Sequence, residues 1–381
     1  MTRGKAEDAG GLTPAKDDNA APYHFDRRTL PIFKCVDYIR GLPHGSPLCR
    51  LFRASVRLAP MRRGQGAFLM RFPKRPMKSK EKEVLWPMMT FLTYLVSGIS
   101  LGSVYAIIAL GYTMVYGIAK MLNFAHGDVI MVGAYVSFCT TSYLHLPAWV
   151  SVVLAVAVCT ALGVVIEGLA YRPLRQAGSL AVLITAIGVS YFLQNAAQLI
   201  WTSNTKVFTS VVGLPAVKLF GGRLTITGEA IVTVLACLLI MAGLTAFTNG
   251  TKMGKAMRAC SEDKAAAQLM GINVNRTISM TFAIGSALAA IAGVLLCSFN
   301  TTLMPTTGSM PGIKAFTAAV FGGIGSIPGA FLGGLLLGII EAIAKAYISN
   351  QLANSIVFAV LIIVLLVRPA GLLGKYVPEK V

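Results

Sequence analysis

Residues 84–119 read VLWPMMTFLTYLVSGISLGSVYAIIALGYTMVYGIA, a run of 36 positions without a charged side chain. This run is longer than the roughly 20 residues that a helix needs to cross about 30 Å of hydrocarbon. Further uncharged runs follow at 129–166, 176–205, 230–251, 277–313, 315–340 and 346–367. The pattern predicts an all-α integral membrane protein, a polytopic helical bundle of about eight to ten membrane segments with broken or re-entrant pieces.

The composition of the whole chain agrees with this fold class. Of the 381 residues, 55% are apolar and 13% are charged, about half the charged share of an average soluble domain. This excludes a disordered protein and does not fit an ordinary soluble enzyme. The formal net charge of +19 would suggest nucleic acid, but 18 Lys/Arg and 8 Asp/Glu are concentrated in residues 1–83. We read a charged leader joined to an apolar body, with no nucleic-acid partner.

The charge pattern divides the chain into two predicted parts. Residues 1–87 are expected to be a charged, disordered N-terminal extension, because they contain no spanning run and no secretory signal. This extension is either a basic tail that touches anionic lipid or a segment without a specific role. A start codon at a later methionine, such as Met61 or Met88, would remove most of it. Residues 88–381 are expected to form the transmembrane domain.

The breaks within the apolar runs predict the individual membrane segments. As one helix, the run at 84–119 would reach roughly 54 Å, so it is expected to fold back or break at Gly111 or Gly117. Pro147 is expected to divide the second run. The predicted segments lie near 91–110, 124–144, 148–170, 180–201, 228–248, 277–298, 312–326, 328–348 and 351–367, with another short piece near 111–121.

Basic residues predict which loops face the cytoplasm. Arg172 and Arg175 follow the third segment, and further Lys/Arg residues fall in 252–276 and after the last segment. These groups share one side of the membrane only if 312–326 crosses it. The loop 202–227 is then expected to lie outside.

Motifs of common catalytic sites are missing from the sequence. There is no GxxxxGK[ST] phosphate loop. The nearest strings, at Gly254–Ala256 and Gly371–Tyr376, lack the Ser/Thr that would hold magnesium. HExxH and CxxC are also missing, and the seven cysteines are expected to act as small buried hydrophobes. We therefore expect no catalytic, cofactor or metal site in this chain, and uphill transport would need an ion gradient or another subunit.

A polar stretch between two predicted segments, Leu122–Asp128, contains Asn123, His126 and Asp128. An ionisable residue at membrane depth is costly and is a functional candidate by default. Asp128 is expected either to stabilise the start of the next helix through the macrodipole or to line a solute path. The sequence leaves both roles open. Lys314, which follows a Pro/Gly break, is the remaining candidate for a solute path.

The loop 249–276 is predicted to contain a short cytoplasmic helix. Ser261 or Asp263 can cap its start, Ala265–Leu269 can propagate it, and Gly271 suits its C-terminal end. A helix of this size is marginal alone in water, so a docking partner would explain it. A loose surface loop is the alternative.

Glycines recur at four-residue spacing in the C-terminal part, at Gly325, Gly329 and Gly333. Small residues at this spacing let helix backbones approach closely in lipid. We therefore expect these three glycines to serve helix packing and assign none of them to substrate. Glu341 and Lys345 lie four residues apart and are expected to pair on one helix face.

Several stretches of the apolar body resemble one family, together and in order. They are SLGSVYAIIALGYTMVYGIAKMLNFAHGDVIMVGAYVSF (100–138), EGLAYRPLR (167–175), LITAIGVSYFLQN (183–195), MGKAMRACSEDKAAAQLMGIN (253–273) and GIKAFTAAVFGGIGSIPGAFLGGLLLGIIEA (312–342). From Thr90 to its C-terminus, the chain resembles the LivH-type permeases of the high-affinity branched-chain amino-acid ABC importers. The leader departs from this pattern, since such permeases usually start close to the first span.

The resemblance implies one subunit of a machine in the cell inner membrane. A periplasmic amino-acid-binding protein would deliver leucine, isoleucine or valine, and this permease would pair with a second homologous permease subunit in the lipid bilayer. Two ATP-binding cassette subunits would dock on the cytoplasmic side and use the ATP, and the path would run between the permeases. The ATPase-coupling loop 249–276 would act through Gly254, Arg258, Glu262, Asp263, Ala266 and Gly271.

Other functions stay open at the level of the sequence. Permeases of the same family for urea, short amides or other amino acids look alike. A self-sufficient ion-coupled carrier would need paired charges in a broken-helix site, and only Asp128, Lys314 and Glu341 come near this. A membrane-embedded enzyme would need a convergent catalytic set. With His126 and His145 as the only histidines of the body, none is visible.

Overall fold

The computed structural model describes residues 79–175, 177–219 and 224–374. The predictions for the leader up to residue 78, and for residues 375–381, lie outside this part of the chain. The helices are α1 (Ser79–Ala119), α2 (His126–Ser142), α3 (Ala148–Ile166), α4 (Ser179–Trp201), α5 (Gly228–Gly250), α6 (Lys252–Glu262), α7 (Lys264–Leu269), α8 (Val274–Asn300), α9 (Ser309–Gly322), α10 (Ile327–Tyr347) and α11 (Ala353–Val367). A π-helical turn, Glu167–Tyr171, continues α3.

Short strands join the loops at one end of the bundle. β1 (Lys206–Val207) pairs antiparallel with β4 (Thr302–Leu303), which follows α8. β2 (Val217–Leu219) and β3 (Leu224–Ile226) pair antiparallel with each other. The predicted outer loop 202–227 therefore contacts the polar segment that ends the α8 run.

Within the described residues, six helices are long and apolar enough to cross a membrane. They are Met88–Ala119 in α1, Ala148–Tyr171 including the π-helical turn, Ser179–Trp201, Gly228–Gly250, Val274–Asn300 and Ile327–Tyr347. α11 is a shorter apolar helix. The predicted fold class is confirmed: the chain is a polytopic helical membrane protein. The number of spans stays a prediction.

The predicted break in the first apolar run is wrong. α1 is one helix of 41 residues that continues through Gly111 and Gly117, and the separate piece near 111–121 does not exist. Both glycines serve close contact instead. A Cβ at Gly111 would lie 2.7 Å from Nε2 of His126, and one at Gly117 would lie 3.3 Å from the Cα of Gly325. The glycines thus make room for neighbouring segments without breaking the helix.

Two helices begin inside the bundle and not at its surface. α2, with 17 residues, starts beside Gly111, which lies eight residues before the end of α1, or about 12 Å along that helix. α9 has 14 residues and spans only about 21 Å. Its first turn lies against α2, because a Cβ at Gly312 would lie 2.8 Å from the Cα of Gly127. The sequence predicted these two regions, 124–144 and 312–326, as membrane segments, but neither α2 nor α9 is among the described helices long and apolar enough to cross a membrane.

α1 and α10 are held together by a seam of small residues. Gly98 and Gly102 of α1 lie against α10, where added Cβ atoms would be 2.9 Å from the Cα of Ile339 and 2.7 Å from the carbonyl oxygen of Leu335. On α10, Gly334 faces the backbone of Ala106, and Gly338 faces the backbone of Gly102. Four-residue spacing on both helices thus produces direct contact between backbones.

The three glycines that the sequence predicted for helix packing lie in two different structural settings. Cβ atoms at Gly329 and Gly333 would collide with backbone carbonyls of Gly322 and Ala318, so both lie where α10 approaches α9 closely. Gly325 lies outside both helices, although Gly117 of α1 comes close to its Cα. It lies in the turn between α9 and α10, with φ at +91° and nothing within 4 Å of an added Cβ. This left-handed conformation, which L side chains rarely adopt, accounts for the glycine.

Buried ion pairs join the helices at two places. The predicted pair between Glu341 and Lys345 is confirmed at 2.7 Å. Lys314 of α9 also reaches Glu341, at 2.7 Å, and Tyr105 of α1 donates a hydrogen bond of 2.9 Å to the same carboxylate. Near the other end of the bundle, Glu167 pairs with Arg175.

Gly338→Leu should reduce the yield of folded protein, because the new side chain would meet the backbone of α1 at Gly102. Overpacking of this kind costs about 1–3 kcal/mol or more. The control is Gly243→Leu in α5, where nothing lies within 4 Å of an added Cβ. The measurement is the yield of monodisperse protein after detergent extraction. Equal yields for both variants would contradict close contact between α1 and α10.

Glu341→Gln should destabilise the protein more than Lys314→Met. The first change leaves Lys314, which is only 6% exposed, without a counterion, and breaking a buried pair costs about 3–5 kcal/mol. After the second change, Glu341 keeps Lys345 and Tyr105. The midpoint temperature of thermal unfolding in detergent ranks the two variants by stability. A larger loss for Lys314→Met would mean that the carboxylate does not organise this cluster.

Candidate functional site

The interior polar cluster consists of Asn123, His126, Asp128, Gln194 and Ser309. It forms where the N-termini of α2 and α9 meet. This meeting is close because Gly127 and Gly308 have no side chains, and a Cβ at Gly308 would overlap the carbonyl oxygen of Gly127. Both helix ends direct unsatisfied N–H groups and a partial positive charge into the bundle. These helix ends therefore stabilise a carboxylate such as that of Asp128, in the first turn of α2.

Asp128 is the acidic member of the interior polar cluster. Its side chain is 1% exposed, and its Oδ1 accepts a hydrogen bond of 2.9 Å from Nε2 of Gln194 in α4. The same nitrogen lies 3.2 Å from Oγ of Ser309 in α9. Asp128 makes no capping hydrogen bond at the start of α2. Its carboxylate thus joins α2 to α4, and the Gln194 amide extends the contact to α9.

Asp128 differs from the other buried acidic residues that the structure describes. Glu167 pairs with Arg175, and Glu341 pairs with two lysines. Asp128 has no cationic partner among the described residues. Buried charges are usually paired, whereas Asp128 is held by a glutamine amide and by the dipole of its own helix.

His126 and Asn123 complete the cluster from the loop side. The Nε2 atom of His126 is buried without a hydrogen-bond partner in the described part of the chain, and its ring lies 4.6 Å from that of Tyr112. Asn123 accepts a hydrogen bond of 2.8 Å from the hydroxyl of Tyr171. Tyr171 lies in the π-helical turn, a local distortion often found at functional sites.

Three of the four path candidates chosen from the sequence lie at the start of α2. Their side chains contact different partners: Asn123 contacts Tyr171, His126 contacts Tyr112, and Asp128 contacts Gln194. Lys314 lies in the ion-pair cluster with Glu341. Sequence reasoning missed Gln194 and Ser309. A glutamine inside a predicted membrane segment was the available signal, but its contact with Asp128 spans 66 positions in sequence. No described residues form a group that could hold a metal ion.

The coupling loop 249–276 folds into two short helices, not one. Thr251 caps α6 by accepting a hydrogen bond from Gly254 N, and Asp263 caps α7 by accepting from Ala265 N and Ala266 N. The cap predicted at Asp263 is confirmed, whereas Ser261 lies within α6. Gly271 follows α7 with φ at +81°, as its predicted place at the helix end requires.

The remaining coupling-loop candidates divide into buried and exposed positions. Gly254 is buried against the backbone of Phe247 and Thr248, where a Cβ would not fit. Arg258, Glu262 and Ala266 are exposed. An outward-facing surface is thus available on both short helices.

Two apolar side chains at the end of α7 are more exposed than a helix in water normally tolerates. Leu269 is 89% exposed and Met270 is 82% exposed. The other side of α7 is anchored to the bundle, because Nζ of Lys264 donates a hydrogen bond of 2.6 Å to the carbonyl oxygen of Ala119 at the end of α1. Burial lowers the pKa of Lys264, and nearby Arg175 and Lys120 lower it further.

The contacts also group the loops that the sequence assigned to one side. Lys264 joins the coupling loop to the end of α1, and Arg175 contacts Asn275 at the start of α8. The segment after α11 lies at the α9–α10 turn, where Leu372 N donates to the carbonyl oxygen of Phe321. The predicted cytoplasmic loops therefore lie at one end of the bundle.

Comparison with known proteins agrees with this architecture. Residues 94–366 match the family model described as "Branched-chain amino acid transport system / permease component". The high-affinity branched-chain amino acid transport system permease protein BraD of Pseudomonas aeruginosa is 46% identical over 303 residues, covering 76% of this chain and 98% of the relative. The corresponding LivH protein of Escherichia coli K12 is 47% identical over 310 residues, with the same coverage.

A more distant relative extends the comparison to an archaeon. The probable branched-chain amino acid transport permease protein LivH of Methanocaldococcus jannaschii is 29% identical over 235 residues, covering 60% of this chain and 73% of the relative. The resemblance inferred from the sequence stretches is confirmed. This chain belongs to the family of permease components of branched-chain amino acid transport systems.

Proposed function

We propose that this chain translocates leucine, isoleucine and valine across the cell inner membrane as a permease subunit of an ATP-binding cassette importer. The observation that carries the proposal is the identity of 46–47% to permeases named for high-affinity branched-chain amino acid transport, along 98% of their length. The chain needs no cofactor of its own, because ATP is bound and hydrolysed by other subunits.

The complete importer has three further kinds of subunit in this proposal. A periplasmic binding protein supplies the amino acid, a second homologous permease encloses the path, and two ATPase subunits dock on the coupling loop. Leu269 and Met270 support such docking, because apolar side chains exposed at 89% and 82% gain free energy when a partner covers them. A hydrophobic anchor in a partner's pocket is the usual centre of an interface.

The contacts of the coupling loop suggest how ATPase movement reaches the interior polar cluster. Lys264 ties α7 to the end of α1, and α1 is continuous to Gly111, which lies against His126. Closure of the ATPases would pull α7, and with it α1, against the start of α2. Two discrete packings of these helices would then give outward- and inward-facing states.

Replacing both Leu269 and Met270 with glutamate should abolish ATP-driven uptake while leaving the permease in the membrane. Burying a carboxylate in an apolar interface costs far more than the ~1.4 kcal/mol that corresponds to a factor of ten in affinity. The measurement is uptake of labelled leucine into proteoliposomes that hold all subunits, together with co-purification of the ATPases.

Leu144→Glu is the matched control for the coupling-loop variant. Leu144 is also apolar and 62% exposed, but it lies in the loop between α2 and α3. Uptake should persist with this substitution. If the Leu269/Met270 variant kept normal uptake and still retained the ATPases, α7 would not be the docking element.

Asp128→Asn should reduce leucine uptake by at least about tenfold, a loss of ~1.4 kcal/mol in transition-state free energy, because it removes the unpaired carboxylate of the interior polar cluster. Glu229→Gln is the control, since Glu229 also lies in the first turn of a helix and accepts a hydrogen bond from Ser210. Expression and detergent stability are measured alongside uptake. Normal uptake with Asp128→Asn would assign the carboxylate to helix stabilisation alone.

A further inference from the structure

One face of α4 carries polar side chains that no described residue covers. Tyr191, Asn195 and Gln198 follow one another at four- and three-residue spacing and are all exposed. Residues with this spacing lie on one side of a helix. Because α4 is one of the membrane-crossing helices, this polar face of α4 lies at membrane depth.

Lipid is an unfavourable neighbour for the polar face of α4. Asn195 lies six residues before Trp201, the last residue of α4, and therefore about 9 Å inside the helix end. Its amide nitrogen donates only to the carbonyl oxygen of Tyr191 in its own helix, at 2.7 Å. Gln198 makes no side-chain hydrogen bond to any described residue. An amide without partners costs roughly 2–7 kcal/mol in an apolar medium.

The predicted outer end of this face borders an open groove. A groove of about 430 Å³ lies where α4 ends. It is lined by Asn195, Gln198, Leu199, Thr202 and Ser203. The polar face of α4 is thus continuous with a groove that opens to the outside.

The other end of the face leads to the unpaired carboxylate. Gln194, next to Asn195, is half-buried and donates to Asp128 at 2.9 Å. It also lies within 3.3 Å of the hydroxyl of Ser190 in α4. Gln194 therefore links the residue next to Asn195 on α4 to the carboxylate of Asp128.

We infer that the polar face of α4 is this subunit's lining of the solute path, and that it conducts a zwitterionic amino acid towards Gln194 and Asp128. The inference rests on the proposed function and names the residues that the solute meets. Amide and hydroxyl groups on this face hydrogen-bond to the carboxylate and the ammonium group as the solute sheds water. The ammonium group of the solute supplies Asp128 with the counter-charge that no described side chain provides.

Cysteine labelling in intact cells tests this assignment. Asn195→Cys and, independently, Gln198→Cys are treated with a membrane-impermeant methanethiosulfonate in cells that hold the complete importer. Labelling above that of the parent chain is read by mass spectrometry. Leu235→Cys in α5 is the control, because Leu235 is 56% exposed and lies a similar distance, about 10 Å, from its helix end.

The two α4 variants should react at least about tenfold faster than Leu235→Cys, because the reactive thiolate hardly forms in hydrocarbon. Saturating leucine should slow their labelling and leave the control unchanged. Slow labelling equal to that of Leu235→Cys would place the face in lipid. Labelling only when the second permease is absent would make it a subunit interface, and fast labelling that leucine does not slow would make it a surface off the path.

Leucine uptake by the parent chain separates this inference from the proposed function. If the parent transports leucine and the labelling pattern fails, only the assignment of α4 is wrong. If the parent complex assembles and transports no leucine, the proposed solute is wrong whatever the labelling shows.

Discussion

Hydrocarbon gives apolar helices no hydrophobic reason to associate, so the fold depends on direct backbone contact between α1 and α10. Gly98 and Gly102 on one helix, with Gly334 and Gly338 on the other, allow that contact. With these two helices fixed, α9 is held against them by contacts between its backbone and that of α10 and by the ion pair from Lys314. α2 is then held between α1 and α9, where its N-terminus meets the interior polar cluster.

The same constraint explains where polar groups are found. Most buried charges are neutralised by neighbours, as Glu341 and Glu167 are. Asp128 is an exception within the described residues, and it lies where two helices begin inside the bundle. A transporter must bind a charged solute and release it again, which requires a polar group that is positioned but not permanently paired. Asp128, held by an amide and not by a lysine, is the residue that we propose for this role.

Local patterns predicted much of this fold, whereas long-range contacts did not follow from them. The apolar runs predicted most of the long helices. The division between α2 and α3 at Pro147 and the cap of α7 at Asp263 are both found as expected. The break predicted at Gly111 or Gly117 is wrong, because the sequence alone does not distinguish a glycine that ends a helix from one that lets a neighbouring segment pack closely. The ion pair of Lys314 with Glu341 and the contact of Gln194 with Asp128 join distant positions, and no local spacing encodes them.

The central claim is that this permease conducts branched-chain amino acids when energised by separate ATPase subunits. The most direct measurement is uptake of labelled leucine by cells that lack their own system, with the partner subunits supplied and this gene present or absent. Unlabelled valine, isoleucine, urea and glutamate serve as competitors. We expect uptake that depends on this gene and is blocked by valine and isoleucine alone. Assembly of the complex without leucine uptake, or uptake blocked by urea or glutamate, would contradict the account.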